Sequence, residues 1–137
     1  MIIITTNIRL YKGVSIDTKE WISGFLLKKN EHYFIQRNDF SAEVYFDSLC
    51  LQVSYLKDMN QENVYENDLL QVIDPDGSSA EIMAVCFDPL SFSYKVKVYD
   101  EEEDWGLYMD LDEFISHTDF KVIGNIYDKL ANGVIIN

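Results

Sequence analysis

The sequence has few of the residues that cross-link a small fold through disulfides or bind a metal ion. It contains two cysteines, two histidines, two prolines and six glycines in 137 residues. Cys50 and Cys86 each lie in an apolar run, where a free thiol packs as a small hydrophobic side chain. Whether they form a disulfide depends on the distance between them, which the sequence does not give. His32 and His117 lack cysteine or carboxylate ligands at the spacing of a zinc site. We therefore predict no metal and no cofactor.

Basic side chains are also scarce. Lysine and arginine number 11 against 24 aspartates and glutamates, which gives a formal net charge of −13. Residues 1–68 carry a net charge of −3 (7 basic, 10 acidic), and residues 69–137 carry −10 (4 basic, 14 acidic). Because nucleic acids and anionic membranes are bound through lysine and arginine, we predict neither as a direct partner. A large net negative charge keeps a protein soluble. It is also compatible with a basic protein partner.

Long apolar runs are absent. No stretch approaches the roughly 20 residues of a transmembrane helix. The apolar start Met1-Ile2-Ile3-Ile4 lacks both the charged lead and the length of a signal peptide. These features predict a cytoplasmic location.

Aromatic and β-branched residues are well represented, in short runs between turn signals. Nine tyrosines and eight phenylalanines favour the half-buried faces of strands. Lys29-Asn30 predicts a hairpin turn, residues 57–63 a loop, and residues 74–77 a turn in which Gly77 takes a positive φ. The predicted strands are residues 20–28, 31–37, 42–46, 49–56, 69–73, 80–87, 92–99, 105–109, 120–127 and 133–137.

Two of these strands carry a distinctive pattern. Residues 80–87 are apolar on both faces, which predicts a central strand. In residues 92–99 apolar side chains alternate with serine and lysine, so Phe92 and Tyr94 are expected on one face and Lys95 on the solvent face.

One short helix is predicted after these strands. Asp110 and Glu113 have the spacing of a capping box, and Leu111, Phe114 and Ile115 share one helical face. Strands otherwise dominate, and the sequence lacks the alternation of strands and helices that is typical of parallel βαβ units. We predict a mainly β fold class of short antiparallel strands, arranged as a small barrel or sandwich, with one short helix.

Three segments resemble the signature stretches of a known family. Residues 20–26 contain Trp21 and Gly24 in a Trp-x-x-Gly pattern. Residues 56–70 end in Tyr-Glu-Asn-Asp-Leu-Leu, and residues 121–127 read Lys-Val-Ile-Gly-Asn-Ile-Tyr. Together they resemble the YopX family of phage and prophage proteins, and the closing stretch is the most specific of the three.

The resemblance implies a fold and a setting, but it names no activity. It implies one YopX-like domain over residues 1–137, with an N-terminal β-hairpin region at 1–56 and an SH3-like barrel region at 57–137. It also implies a phage or prophage protein in the cytoplasm of a host cell. The family glycine before Asp68 is replaced by Asn67, a residue that tolerates left-handed backbone.

The residues of these segments are expected to be structural. Asp58 and Asp68 stand where aspartate side chains tie down turn backbone. Together with Glu66 they could instead form a carboxylate cluster for acid–base chemistry. The expected structural motif comprises Trp21, Gly24, Asp58, Asn67, Asp68, Gly124 and Asn125.

The most conspicuous chemical feature is an acidic run followed by tryptophan. This run lacks the alternating ligands and the glycine of a calcium loop, so a solvated hairpin tip is the simpler interpretation. An exposed aromatic residue beside carboxylates would suit a basic protein partner. The candidate partner-binding residues are Asp100, Glu101, Glu102, Glu103, Asp104 and Trp105.

No nucleophile elbow, P-loop or dinucleotide fingerprint is present. We therefore expect a non-enzymatic module that binds an unidentified protein or assembles with itself, since exposed strand edges and aromatic faces favour symmetric assembly. The alternative is an acidic nucleic-acid mimic that inhibits a DNA-binding protein. An enzyme would require a pocket with convergent polar groups around Asp58, Asp68 and Asp104.

Overall fold

The chain is described from a computed structural model over residues 10–99 and 108–131. Its strands form two antiparallel sheets, one of six strands and one of five. One α-helix occurs in this part of the chain. The predicted mainly β fold class is confirmed.

The first sheet is formed by residues before Glu66. In space its strands follow the order β4-β3-β2-β1-β5-β6, and a 3-10 turn at Phe46–Ser48 precedes β5. Because β6 belongs to this sheet, the sheet extends beyond residue 56. The strands are β1 (Tyr11–Val14), β2 (Trp21–Lys29), β3 (His32–Arg37), β4 (Phe40–Glu43), β5 (Cys50–Lys57) and β6 (Asn63–Tyr65).

The second sheet is a four-stranded meander joined by a returning strand. Its order is β10-β9-β8-β7-β11, and helix α1 (Leu111–His117) connects the two edge strands. Within the described residues β10 and β11 are not paired with each other, so the expected SH3-like barrel is not closed there. The strands are β7 (Asp68–Ile73), β8 (Ser79–Asp88), β9 (Ser93–Val98), β10 (Tyr108–Asp110) and β11 (Asp119–Asn125).

A hydrophobic core lies between the sheets. Val53 of β5 and Val64 of β6 pack into the same cluster as Leu70 of β7 and Val85 of β8. Burying a side chain of this size stabilises the fold by about 1.5–3 kcal/mol. The shared core therefore holds the two sheets together. The whole cluster comprises Val53, Val64, Leu70, Met83, Val85, Val96, Leu111, Phe114 and Phe120.

The β2–β3 hairpin has a turn one residue later than predicted. Lys29 pairs with His32, so the two loop residues are Asn30 and Glu31 rather than Lys29-Asn30. Both have positive φ, 51° and 67°, as a type I′ turn requires. That turn matches the twist of the flanking strands, which explains why a glutamate is tolerated in a left-handed conformation.

Gly24 of β2 is required by close packing. An added Cβ would lie 2.2 Å from the carbonyl oxygen of Gln36, and the nearest atoms are backbone. The Trp-x-x-Gly pattern therefore marks a place where β2 and β3 approach too closely for a side chain.

In the second sheet the prediction of a central strand is confirmed, because β8 lies between β7 and β9. The interior placement of Phe92 is wrong: its side chain is 85% exposed, and the residue lies in the β8–β9 turn with φ of 51°. The predicted strand began at residue 92, whereas the strand itself begins one residue later, at Ser93. Gly77 has the predicted positive φ, 86°.

Helix α1 forms where it was predicted, with two corrections. Leu111 and Phe114 are buried, but Ile115 is on the exposed side of the helix. Asp110 is the N-cap residue, yet its side chain makes no capping hydrogen bond. Its Oδ1 lies instead 3.4 Å from Nζ of Lys95, so the ion pair replaces the capping box.

Two strands were missed by sequence analysis. β1 was not predicted, and β6 begins inside the predicted loop at 57–63. The predicted strand at 42–46 is replaced by β4 and the 3-10 turn after it. The predicted strand at 133–137 and residues 105–107 lie outside the described residues.

Candidate functional site

A buried ion pair joins the two sheets. Asp68, at the first position of β7, is fully buried. Its Oδ1 is 2.6 Å from Nζ of Lys12 on β1 and accepts a hydrogen bond from Nδ2 of Asn125 at 2.9 Å. Its Oδ2 accepts a hydrogen bond from the backbone N–H of Tyr65 at 2.8 Å. We call Lys12, Cys50, Asp68 and Asn125 the polar seam.

Two aromatic rings enclose the ammonium group of the polar seam. Nζ of Lys12 lies 4.7 Å from the ring centroid of Trp21 and 4.9 Å from that of Tyr65. Both distances are within the range of cation–π attraction. Lys12 thus meets the carboxylate and two ring faces at once, which compensates for the partial burial of its charge.

Burial raises the pKa of the Asp68 carboxyl above its ordinary value of 3.8, while the neighbouring Lys12 and the hydrogen bonds from Asn125 and Tyr65 oppose that rise. The carboxylate accepts three hydrogen bonds and lies deep in the fold. This arrangement is typical of a structural group, since nothing is left on Asp68 to face a substrate.

Cys50 lies beside the ion pair and is completely buried. It is a free thiol, and Nδ2 of Asn67 and Nδ2 of Asn125 each donate to its Sγ at 3.7 Å. Burial raises its pKa to about 11, against the lowering effect of the two asparagine hydrogen bonds. A thiol held neutral in this way is a poor nucleophile.

The closing family segment is anchored to the opening one. Nε1 of Trp21 donates to Oδ1 of Asp128 at 2.8 Å, and Oδ2 of Asp128 accepts from the backbone N–H of Asn125 at 2.9 Å. A Cβ on Gly124 would lie 2.7 Å from the same Oδ2, so a side chain there would displace the carboxylate. These contacts link residues more than one hundred positions apart.

Asp58 has a parallel role in the loop before β6. Its Oδ1 accepts from the backbone N–H groups of Asn60 and Glu62, and its Oδ2 accepts from the backbone N–H of Val122, each at 2.8 Å. Asp58 is buried. Its carboxylate therefore ties the loop to strand β11.

The remaining family positions also serve the backbone. Asn67 has a φ of 67°, the left-handed conformation expected where the family has glycine. Glu66 accepts from the backbone N–H of Leu51 at 2.9 Å and from the hydroxyl of Tyr94 at 3.2 Å. In the described residues no buried side-chain nitrogen or oxygen lacks a hydrogen-bond partner.

The structure brings together five of the seven expected motif residues at the polar seam, namely Trp21, Asn67, Asp68, Gly124 and Asn125. Gly24 serves the contact between β2 and β3, and Asp58 ties the loop before β6 to β11. Sequence analysis missed Lys12 and Asp128, and it treated Cys50 only as a core residue. No local pattern in the sequence distinguishes Lys12 from the other lysines. Asp128 follows the closing family stretch by a single residue, which is a signal that could have been used.

A cleft lies on a different part of the surface, between β5 of the first sheet and β9 and α1 of the second. Its volume is about 720 Å³. It is lined by apolar side chains from both sheets and by a rim of polar ones. The apolar residues are Val53, Leu56, Phe92, Tyr94, Leu111 and Ile115; the polar residues are Ser54, Ser93, Asp110, Asp112 and Glu113.

The cleft is acidic. Three of its lining residues carry carboxylates, and none that the structure describes is a lysine or an arginine. Asp110 is paired with Lys95. No ion pair among the described residues involves Asp112 or Glu113, both of which are exposed.

Residues Asp100 to Asp104 and Trp105 lie outside the described residues, so their role as partner-binding candidates stays a prediction. His32 is exposed and bonds to Glu43 through Nδ1 at 2.6 Å. Among the residues that the structure covers, no group of three His, Cys, Asp or Glu side chains could hold a metal ion. In the same residues no helix has the length and apolarity needed to cross a membrane.

Comparison with known protein families gives a match over most of the chain. The family described as YopX protein matches residues 11–130, which includes both sheets, α1 and the whole polar seam. Searches of curated proteins and of solved structures give no match. Since the match covers most of the sequence and includes all three segments singled out above, the chain belongs to the YopX family.

Proposed function

We propose that this protein is a non-enzymatic interaction module that holds a protein partner in the cleft between β5, β9 and α1. The observation that carries the proposal is the cleft itself. Its volume is about 720 Å³, and apolar side chains from both sheets line it. Concave apolar surfaces with a polar rim are the usual sites of binding.

Exposed apolar side chains beside the cleft support the proposal. Leu90 and Phe92 of the β8–β9 turn are 94% and 85% exposed. The turn is ordered by Asp88, which accepts from the backbone N–H of Leu90 at 3.0 Å and from the hydroxyl of Ser91 at 2.9 Å. A rigid turn that presents two large apolar side chains to water is typical of a contact surface.

The polar seam supports the proposal by fixing the walls of the cleft. One wall belongs to the first sheet and the other to the second. Because Lys12 and Asp68 tie these sheets together, the cleft has a preformed shape. A preformed surface loses less entropy on binding.

The proposal that the protein is not an enzyme follows from how its buried carboxylates are used. Asp58 and Asp68 each accept three hydrogen bonds from the fold. Catalytic acids and bases need a free position facing the substrate, and these two groups have their oxygen atoms directed to structural partners.

Site-specific photo-crosslinking tests the proposal. A benzophenone amino acid placed at Ile115, inside the cleft, should yield a defined protein adduct in host cells. The same group at Asp76, in the exposed β7–β8 turn, is the matched control and should yield none. Equal adducts from both positions, or no adduct from Ile115, would contradict the proposal.

The alternative function is an acidic nucleic-acid mimic, supported by the net charge of −13. It requires a DNA-binding protein as partner and predicts that duplex DNA competes for that partner, with binding that weakens steeply as salt rises. In either case we propose a phage or prophage protein that acts in the host cytoplasm.

A further inference from the structure

We propose that the cleft binds an amphipathic segment of a partner protein, with apolar side chains on one side and lysine or arginine on the other. This inference rests on the proposed function of the cleft as a docking site. It adds the chemistry of the partner and the residues of α1 that select it.

The charge of the cleft is confined to one side. Asp110, Asp112 and Glu113 lie where β10 passes into α1, and they are the charged residues of the lining that the structure describes. The lining residues from β5, from the β8–β9 turn and from β9 are apolar or carry a hydroxyl group. A segment in the cleft therefore meets carboxylates along one edge and mainly apolar side chains along the other.

Two of the carboxylates are available to a partner. Asp112 and Glu113 are exposed, and no ion pair within residues 10–99 and 108–131 involves either of them. The Oδ1 atom of Asp110, by contrast, lies 3.4 Å from Nζ of Lys95, so the chain itself supplies its counter-ion. A lysine or arginine that approaches α1 would pair with Asp112 and Glu113 without breaking an ion pair of the fold.

Apolar surface lies directly beside these charges. Ile115 is 36% exposed and follows Asp112 by three positions on α1, a spacing that makes the two side chains neighbours on the helix surface. Phe92 adds an exposed ring to the same lining, and a cation is attracted to the face of such a ring.

The partner segment must match both properties. A purely basic segment would leave Ile115 and Phe92 in contact with water. A purely apolar one would remove water from the carboxylates and offer no counter-ion, which is costly. Charge complementarity and apolar burial together therefore select an amphipathic, basic segment. A second copy of this chain is the weaker candidate, because its net charge of −13 opposes approach to an acidic cleft.

Affinity selection from a library of random short peptides tests the inference. The wild-type protein should enrich peptides that combine apolar residues with lysine or arginine. These peptides should bind the Asp112→Asn/Glu113→Gln variant about tenfold more weakly, as expected for the loss of two exposed ion pairs. The Glu31→Gln/Asp39→Asn variant removes the same two charges from exposed turns outside the cleft. It is the matched control and should bind as the wild type does.

A double-mutant cycle locates the basic residue of an enriched peptide. Its replacement by glutamine should weaken binding to the wild type and have little further effect on binding to the Asp112→Asn/Glu113→Gln variant. Additive losses would place that residue elsewhere on this acidic chain and overturn the inference. Enriched peptides without lysine or arginine, or no enriched peptide, would overturn it as well.

Two further outcomes separate this inference from the proposed function. Wild-type oligomers that dissociate in the Asp112→Asn/Glu113→Gln variant, measured by sedimentation velocity, would make a second copy the occupant and overturn the basic partner. If the peptide experiments fail while Ile115 still gives a host-protein adduct, the cleft is retained as a docking site and only the chemistry of its partner is wrong. If that adduct is also absent, both proposals fail.

Discussion

Nζ of Lys12 lies 2.6 Å from Oδ1 of Asp68, and this ion pair connects β1 of the first sheet to β7 of the second. The side chain of Lys12 is 16% exposed, and that of Asp68 is completely buried. Removing two charges from water costs several kcal/mol, which the pair recovers only with good geometry and further hydrogen bonds. Asn125 and Tyr65 supply those bonds.

Loss of the cation should therefore be more damaging than loss of the pair. We expect Lys12→Met to lower the free energy of unfolding by about 3–5 kcal/mol, because it leaves a buried carboxylate without its counter-ion. Urea denaturation at neutral pH measures the change. The double variant Lys12→Met/Asp68→Asn is the control and should recover part of the loss; a double variant as unstable as the sum of the single ones would contradict this account.

The raised pKa of Asp68 predicts a direction for the pH dependence. Because the folded pKa lies above the ordinary value of 3.8, this carboxyl stabilises the fold fully below pH 3.8, and that contribution is lost as the pH rises through the folded pKa. Relative to Asp68→Asn, the wild type should therefore lose stability as the pH rises from about 3.8, and the difference should then become constant. Urea titrations at several pH values measure it, and a difference of opposite slope would contradict the assignment.

Cys50 predicts a loss of stability at alkaline pH. Its folded pKa is about 11 against an ordinary 9.0, so its contribution is complete below pH 9 and disappears as the pH rises to 11. A shift of this size corresponds to about 2–3 kcal/mol. The loss should be absent in Cys50→Ala, compared in a Cys86→Ala background.

Labelling with a thiol reagent provides an independent check on Cys50. At neutral pH the half-buried Cys86 should react first, and Cys50 should react only when the chain unfolds. Rapid labelling of Cys50 in the native protein would show that the polar seam opens.

The sequence predicted those parts of the fold that depend on local signals. The hairpin, the turn at Gly77 and the central strand at residues 80–87 follow from turn residues and alternation. The family resemblance predicted a structural role for Trp21 and Asn125, and their side chains donate hydrogen bonds to Asp128 and Asp68. Local chemistry was sufficient in these cases because the residues that determine each element lie within a few positions of one another.

The sequence did not predict features that depend on distant partners. β1 has the sequence Tyr-Lys-Gly-Val, in which a lysine and a glycine weaken the strand pattern. Its lysine is partly buried because it pairs with Asp68, 56 residues further along the chain. The cleft was missed for the same reason, since Val53 and Ile115 come together only when the two sheets pack.

The close approach of β2 to β3 predicts that Gly24→Ala is strongly destabilising. The new Cβ would lie 2.2 Å from a backbone oxygen of Gln36, so the strands must move apart at a cost of about 3 kcal/mol or more. Gly77→Ala is the control for conformational cost alone, because its Cβ would meet open space at a φ of 86°, and it should cost only about 1 kcal/mol. Similar melting temperatures for the two variants would contradict the steric explanation.

Phe92 combines an unfavourable backbone with an exposed side chain, and this predicts a conflict between stability and binding. Its φ of 51° costs about 1–2 kcal/mol for a residue with a Cβ, while its ring is 85% exposed and contacts Phe87 only edge to face, at 6.3 Å.

Glycine at position 92 relieves the strain, and alanine removes the ring but keeps the strain. We therefore expect Phe92→Gly to be about 1 kcal/mol more stable than Phe92→Ala by urea denaturation. Both variants should bind less at the cleft, because each lacks the ring that forms part of its lining. If Phe92→Gly were the less stable of the two, the left-handed backbone would not be a cost to the fold. If both variants bound as the wild type does, the Phe92 ring would make no contribution to binding at the cleft.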